Sequence, residues 1–299
     1  MRVFLTSATG YIGSAIAEKL MQSGYSVIGL ARSEESASTL QERGITVHRG
    51  DLSTPESLIG GVKEADVVIH TAASREPDGM KWERECVTTM LDTIAGSGKA
   101  FIYTSGASVV GDTGDSIRDE TYPSNPDNPR AQLETLIYGY TQRDVRTVVI
   151  RPSFVYGRDG GILPRYIDHA KQQGIAGYVL PGDNRWSFVH VDDLATLYRL
   201  AAEKAPAGAV YNAANTQPLP MRTVSEAIAE HTGATLTAWT PKEAAPIVGG
   251  IAYAFTMNVT VSAQKAVDDL GWQPEQPDIL EEITHPHAAE HRSSKSHWD

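Results

Sequence analysis

Between residues 6 and 15 the chain reads TSATGYIGSA, so Thr6, Ser7, Thr9, Gly10, Tyr11 and Ile12 stand with Gly13 between an apolar run and a stretch of helical spacing. Such an arrangement can hold phosphate: a strand leads into a tight turn, glycines allow close approach, and the first amides of a helix face the anion. Ser7 takes the place of a first glycine. If that position needs positive φ, a serine costs roughly 1 kcal/mol there, part of which its hydroxyl offsets by bonding a phosphate or the turn. A ligand-free strand-to-helix turn would use the same residues, so the loop alone leaves both readings open.

Three further stretches favour a dinucleotide. The run VIGLARS ends in Arg32 and Ser33, where an acidic residue would grip the ribose hydroxyls of NAD; an arginine there suits a 2′-phosphate. NADP(H) is therefore the favoured cofactor. NAD(H) stays open, because Glu34 and Glu35 follow directly. In RGDLS, Asp51 and Leu52 offer a carboxylate and an apolar wall to adenine, and in HTAAS the small Thr71, Ala72 and Ala73 let backbone pass close to a cofactor.

The elements that must position these residues alternate between strand and helix, which predicts a doubly wound parallel α/β sheet. Strands are expected at Val3–Thr6, Ser26–Ala31, Thr46–Arg49, Val67–Thr71, Ala100–Thr104 and Thr147–Arg151. Ile12, Ile16 and Leu20 share one helical face, and Ser23-Gly24 stops that helix. Leu133, Leu136, Ile137 and Tyr140 mark another helix after Pro129. Beyond Pro152, proline and glycine break the pattern, with helices expected near 162–173, 191–203 and 221–231. The expected organisation is a dinucleotide-binding domain over 1–152, to which 186–213 returns, a smaller substrate lobe from 153–185 and 214–284, and a flexible tail over 285–299. That tail holds His285, His287, His291 and His297 without a fixed geometry, and no metal is expected.

The 299 residues suffice for a large core. One cysteine, Cys86, allows no internal disulfide, and no apolar run approaches the roughly 20 residues of a bilayer span. Met1-Arg2 leads straight into the first strand, so a signal peptide is not expected and a cytoplasmic location is. A net charge of −11, from 26 basic and 37 acidic side chains, repels nucleic acid. A small-molecule substrate is the expected partner, with neither nucleic acid nor membrane.

In order along the chain, TSATGYIGSA, GDLS, HTAA, FIYTSGASVVGD, RPSFVYG, RWSFVHVDDLA, YNAAN and LGWQP resemble the extended short-chain dehydrogenases/reductases, the NAD-dependent epimerase/dehydratase-like group. The resemblance spans nearly the whole chain. It implies a Rossmann-type domain binding NAD(P), a smaller C-terminal lobe closing a substrate cleft, and a homodimer through the helices around 80–97 and 130–143. It also implies a Ser or Thr after the fifth strand that polarises a carbonyl, and a Tyr-x-x-x-Lys whose phenol moves the proton. Here the chain departs. Gly106 falls at the serine position, just after Ser105, and with Glu134 as register mark Arg130 falls at the lysine and Pro126 at the tyrosine. No Tyr-x-x-x-Lys occurs between 100 and 150.

Arg130 can fix the ribose or an oxyanion but stays protonated. Proton donors to consider are Ser105, Thr104, Tyr156 and the substrate itself. Arg151, Pro152 and Ser153 are expected at the nicotinamide end of the sixth strand. His190 reads as a buried, hydrogen-bonded histidine, and Asp192 and Asp193 as a helix cap. Trp82, Tyr178, Trp186, Trp239, Tyr253 and Phe255 are candidate walls of an aromatic cleft, or core. The first functional expectation is an atypical NADP(H)-dependent reductase or dehydrogenase of a small carbonyl or alcohol. The second is a non-catalytic NADP-binding redox sensor. A sugar-nucleotide epimerase or dehydratase ranks below both, since that chemistry leans on the missing phenol.

Overall fold

Runs such as Val3-Phe4-Leu5 and Val67–His70 are apolar on both faces and buried, as interior strands of a helix-covered parallel sheet must be. In the computed structural model, which describes residues 1–285 apart from Arg75 and Thr216, they pair side by side. The strands are β1 (Arg2–Leu5), β2 (Ser26–Ala31), β3 (Thr46–Arg49), β4 (Val67–His70), β5 (Ala100–Thr104), β6 (Arg146–Pro152), β7 (Phe154–Tyr156), β8 (Ile175–Val179), β9 (Arg185–Trp186), β10 (Phe188–His190), β11 (Ala209–Ala213), β12 (Leu219–Pro220) and β13 (Thr235–Trp239). Interleaved with them run α1 (Tyr11–Gln22), α2 (Glu34–Glu42), α3 (Ile59–Glu64), α4 (Gly79–Ile94), α5 (Pro129–Gly139), α6 (Leu163–Gln173), α7 (Val191–Lys204), α8 (Met221–Thr232), α9 (Pro241–Val248), α10 (Gln264–Leu270) and α11 (Ile279–Thr284).

Seven parallel strands form one sheet in the order β3-β2-β1-β4-β5-β6-β11. The fold is a Rossmann-type α/β fold. The order reverses between β1 and β4, and a crevice opens outside the carboxyl ends of strands at such a switch point. On one face Ile16 and Leu20 of α1 pack with Leu194, Leu197 and Tyr198 of α7. Val87, Met90 and Leu91 of α4 cover the other with Leu133 and Ile137 of α5. A separate core, with Phe154, Tyr156, Tyr166, Trp186, Phe188, Trp239 and Phe255, joins α6, α8, α9 and the short strands.

The sequence places the six expected strands to within a residue at most ends, and α6, α7 and α8 fall on the expected helices. It does not single out β11, whose YNAAN run carries few apolar residues. Of the aromatics read as cleft wall or core, Trp186, Trp239 and Phe255 are core, at 3%, 8% and 0% exposure. Trp82 and Tyr178 are half-buried, and Tyr253 is exposed. His285 caps α11 through its amide, while His287, His291 and His297 and the rest of the expected tail lie outside the described residues. No helix among the described residues is long and apolar enough to cross a membrane.

Candidate active site

At the end of β1 the chain turns through Ser7, whose φ of 55° lies in the left-handed region. Gly10 donates its amide to the Ser7 carbonyl at 2.9 Å, and Ser14 to the Gly10 carbonyl at 2.8 Å. Between them the amides of Tyr11 and Ile12 have no acceptor among the described residues, and no side chain caps α1. A Cβ at Gly13 would run into the Ser7 carbonyl, so glycine is what lets this helix start so close to the turn. Open amides at an uncapped helix start form an anion cradle.

The threonines beside it tie the two strand ends together. Thr6 is buried, and its Oγ1 accepts from the amides of Thr71 at 3.0 Å and Ala72 at 3.1 Å. Thr71 Oγ1 in turn donates to the Thr6 carbonyl at 2.7 Å. Together they lock the ends of β1 and β4. Thr6 Oγ1 also lies 3.0 Å from His70 Nδ1, and burial, with the nearby Arg130 charge, drives that imidazole down to about 3, so it is neutral. Tyr11 reaches away from the turn and donates its phenol to the Gly157 carbonyl at 2.9 Å. Ala73 is exposed and Thr9 half-buried.

Beyond β2, Ser33 caps α2 by accepting from the Ser36 amide at 3.1 Å. Glu34 is drawn off to Arg49, whose Nη1 also donates to the Ser33 carbonyl. Arg32 is left 83% exposed, 3.9 Å from Asp51 Oδ2. Asp51 accepts from the Ser53 amide and hydroxyl at 2.7 and 2.6 Å. Its partial burial, which alone would raise its pKa, is outweighed by these bonds and by Arg32, and the carboxylate titrates low. Leu52 is half-buried beside it, its carbonyl met by the Cys86 thiol.

At the carboxyl end of β5 the guanidinium of Arg130 donates to the Thr104 carbonyl at 3.2 Å and the Tyr103 hydroxyl at 3.3 Å. It pairs with Glu83, an almost fully buried carboxylate that also accepts a hydrogen bond from the Tyr103 hydroxyl at 2.6 Å. Thr104 Oγ1 bonds the buried Tyr198 hydroxyl at 2.5 Å. Ser105 and Ser153 are each 8% exposed, and their buried hydroxyls have no partner among the described residues. Leaving such a group unpaired costs about 1–3 kcal/mol, which a polar ligand relieves. Arg151 donates from Nε to Glu134 Oε1 at 3.0 Å and from Nη2 to Ser124 at 2.7 Å, while its buried Nη1, like the two serine hydroxyls, has no partner among the described residues.

Tyr156 must be corrected as a proton donor. It is fully buried, donates to the Pro277 carbonyl at 2.6 Å and accepts from Asn215, and burial pushes its pKa up. Burial likewise raises the Tyr103 and Tyr198 phenols. His190 is buried, as expected, and its ring, not the aspartates, caps α7 by accepting from the Asp192 amide. Asp192 pairs with Arg158, and Asp193 accepts from the amides of Glu275 and Gln276. Among the described residues no three His, Cys, Asp or Glu side chains converge as metal ligands.

The residues present fit a dinucleotide. The Tyr11 and Ile12 amides would hold its pyrophosphate, Arg32, Ser33 and Asp51 its adenosine half, and Ser105, Ser153 and Pro152 its nicotinamide end. Sequence reasoning missed Glu83, Tyr103, Glu134 and Tyr198. Glu83 had a legible signal: it sits four residues before Val87 on the apolar stripe of α4, where a charge needs a buried partner.

The profile of the NAD dependent epimerase/dehydratase family matches residues 3–214. An uncharacterised protein of Saccharomyces cerevisiae is 32% identical over 95% of this chain and 98% of its own. A 4-hydroxy-2-methyl-3-oxo-4-farnesyl-3,4-dihydroquinoline-1-oxide ketoreductase of Stigmatella aurantiaca is 29% identical over 91% of this chain and 92% of its own. Among solved structures, dTDP-glucose 4,6-dehydratase of Bacillus anthracis, in complex with NAD, aligns over 95% of each chain with a TM-score of 0.78 at 20% identity.

Proposed function

The chain belongs to the NAD dependent epimerase/dehydratase family, and on that premise we propose that it is an NADP(H)-dependent reductase of ketones that works without a phenol. One observation carries the reading: a fixed guanidinium, Arg130, bonds the carbonyl of Thr104 at the end of β5, beside the unpartnered Ser105 hydroxyl. A permanent cation there stabilises negative charge as it builds on a substrate oxygen, and cannot itself deliver the proton. The ketoreductase relative supports carbonyl reduction. Epimerisation would need a base to take a hydroxyl proton, and the tyrosines around the site are buried and high in pKa.

A bound dihydronicotinamide would supply the hydride. The chain's part is to orient it through Ser105 and Ser153, to hold the carbonyl near Arg130, and to admit a proton from water. The preference for a 2′-phosphate rests on Arg32, which is free to turn toward it while Arg49 neutralises Glu34. We further propose self-association through the outer faces of α4 and α5, where Met80 and Tyr138 are exposed.

Calorimetric titration with NADPH and NADH, followed by NADPH oxidation over a panel of cyclic and open-chain ketones, tests this. Substrate-dependent oxidation is expected. Tight binding with no oxidation across the panel would overturn the reductase in favour of a redox sensor. Arg32→Ala should weaken NADPH about tenfold, the loss of one charge-assisted bond, and NADH little; equal losses would remove the NADP assignment.

A further inference from the structure

Gly106 has no conformational reason to be glycine. Its φ of −174° is extended backbone, open to any residue. Nor is it crowded: an added Cβ would meet nothing closer than Ser108 Oγ at 3.9 Å and the Pro152 carbonyl at 4.0 Å. A methyl-sized group therefore fits at position 106, in ordinary contact with Ser108 Oγ and the carbonyl at the end of β6.

Ser108 sits in the 3-10 turn Ala107–Val110, between the buried Ala107 and Val109. That turn is rigidly held. Val109 donates to the Gly106 carbonyl at 3.1 Å, Gly111 to the Ser108 carbonyl at 3.1 Å and Asn125 to the Val109 carbonyl at 2.7 Å. The Ser108 hydroxyl is half-buried and bonds no protein group among the described residues. Ser105, its competitor, is the more buried of the two, at 8% exposure.

We propose that Ser108 is the catalytic hydroxyl of this site, donating a hydrogen bond to a carbonyl oxygen seated over Gly106. The inference rests on the ketone-reductase reading. As hydride adds to the carbonyl carbon the C=O π bond becomes an O–H bond: Ser108 passes its proton to the substrate oxygen and takes one from water at the mouth of the cleft. The nicotinamide ring is oxidised and the ketone reduced, and Ser108 is unchanged at the end of the cycle. Ser105 then holds the cofactor and moves no proton.

The test compares Ser108→Ala, Ser105→Ala and the double variant Gly106→Ser/Ser108→Ala on the best ketone of the panel, with NADPH affinity and thermal midpoint measured for each. Ser108→Ala should lower kcat about a hundredfold, the loss of one oxyanion donor, while NADPH affinity stays within twofold and the midpoint is unmoved. Binding of the ketone to the NADP⁺-loaded protein should weaken as well. The double variant, which puts a hydroxyl back at position 106, should regain at least tenfold of the lost kcat. Turnover of Ser108→Ala within threefold of wild type, a parallel loss of NADPH affinity, or a folded double variant that regains nothing would each overturn the assignment. An active wild type alongside an unaffected Ser108→Ala removes this proposal and leaves the reductase; an inactive wild type removes both.

Discussion

Arg130 and Glu83 are individually costly and jointly stable. Glu83 is 1% exposed, and the guanidinium forks onto its carboxylate, the Tyr103 hydroxyl and the Thr104 carbonyl. Removing one partner of a buried pair strands the other charge, at about 3–5 kcal/mol, whereas removing both costs far less. Arg130→Ala should therefore destabilise by about 3 kcal/mol in urea unfolding, and Arg130→Ala/Glu83→Gln should recover more than half of that loss. Additive losses would show that the two side chains do not act as a unit. Activity separates the roles, since neither variant restores the cation at the end of β5 and both should lose turnover. A lysine at 130 would keep the charge but lose the planar fork, so Arg130→Lys is expected to sit between wild type and Arg130→Ala. The sequence pointed to position 130 but not to its support, because Glu83 meets it only through the packing of α4 against α5.

At the scale of elements, apolar runs and glycine punctuation made most of the sheet readable. Val67–His70 and Ala100–Thr104 can be nothing but buried strands, while β11 eluded the same reasoning because Asn212 spends its polar side chain on the Ser262 carbonyl, a partner 50 residues away. The nucleotide turn shows the same split. Its glycines were legible, and so was the strain on Ser7, which does lie at φ 55°. What spacing could not reveal is that Thr6 and Thr71 bond each other's backbone. Ser7→Gly should raise stability by up to about 1 kcal/mol, the cost of a non-glycine residue at positive φ less the greater freedom of glycine in the unfolded chain. Calorimetry with NADPH then separates backbone from hydroxyl: unchanged affinity means that amides alone hold the pyrophosphate, and a loss of tenfold or more means that the Ser7 hydroxyl takes part.

A strap between α10 and α11 ties the core on the α1–α7 face of the large sheet to that of the second lobe, and this long-range closure was the least legible feature of the chain. Trp272 packs in the core of the large sheet and donates to the Asp193 carbonyl at 2.8 Å. Three and four residues further on, the amides of Glu275 and Gln276 donate to the Asp193 carboxylate at 2.9 and 3.2 Å. Pro277 accepts from Tyr156, and Ile279 and Ile283 enter the second core. LGWQP was readable as a motif, but nothing local in it names Asp193, some 80 residues earlier, as its anchor. Because Asp193 is 4% exposed, Asp193→Ala leaves two amides without an acceptor, each worth about 1–3 kcal/mol, while Asp193→Asn keeps one acceptor oxygen and loses less. Trp186 and Trp239 sit in the second core but Trp272 in that of the large sheet, so unfolding is followed site by site, by amide exchange in α8 for the lobe and in β4 for the sheet. With the strap intact the two should lose protection together on heating; in Asp193→Ala α8 should lose it first, by several degrees. Coincident curves with an unmoved midpoint would mean that the lobes are held by their packed faces and not by the strap.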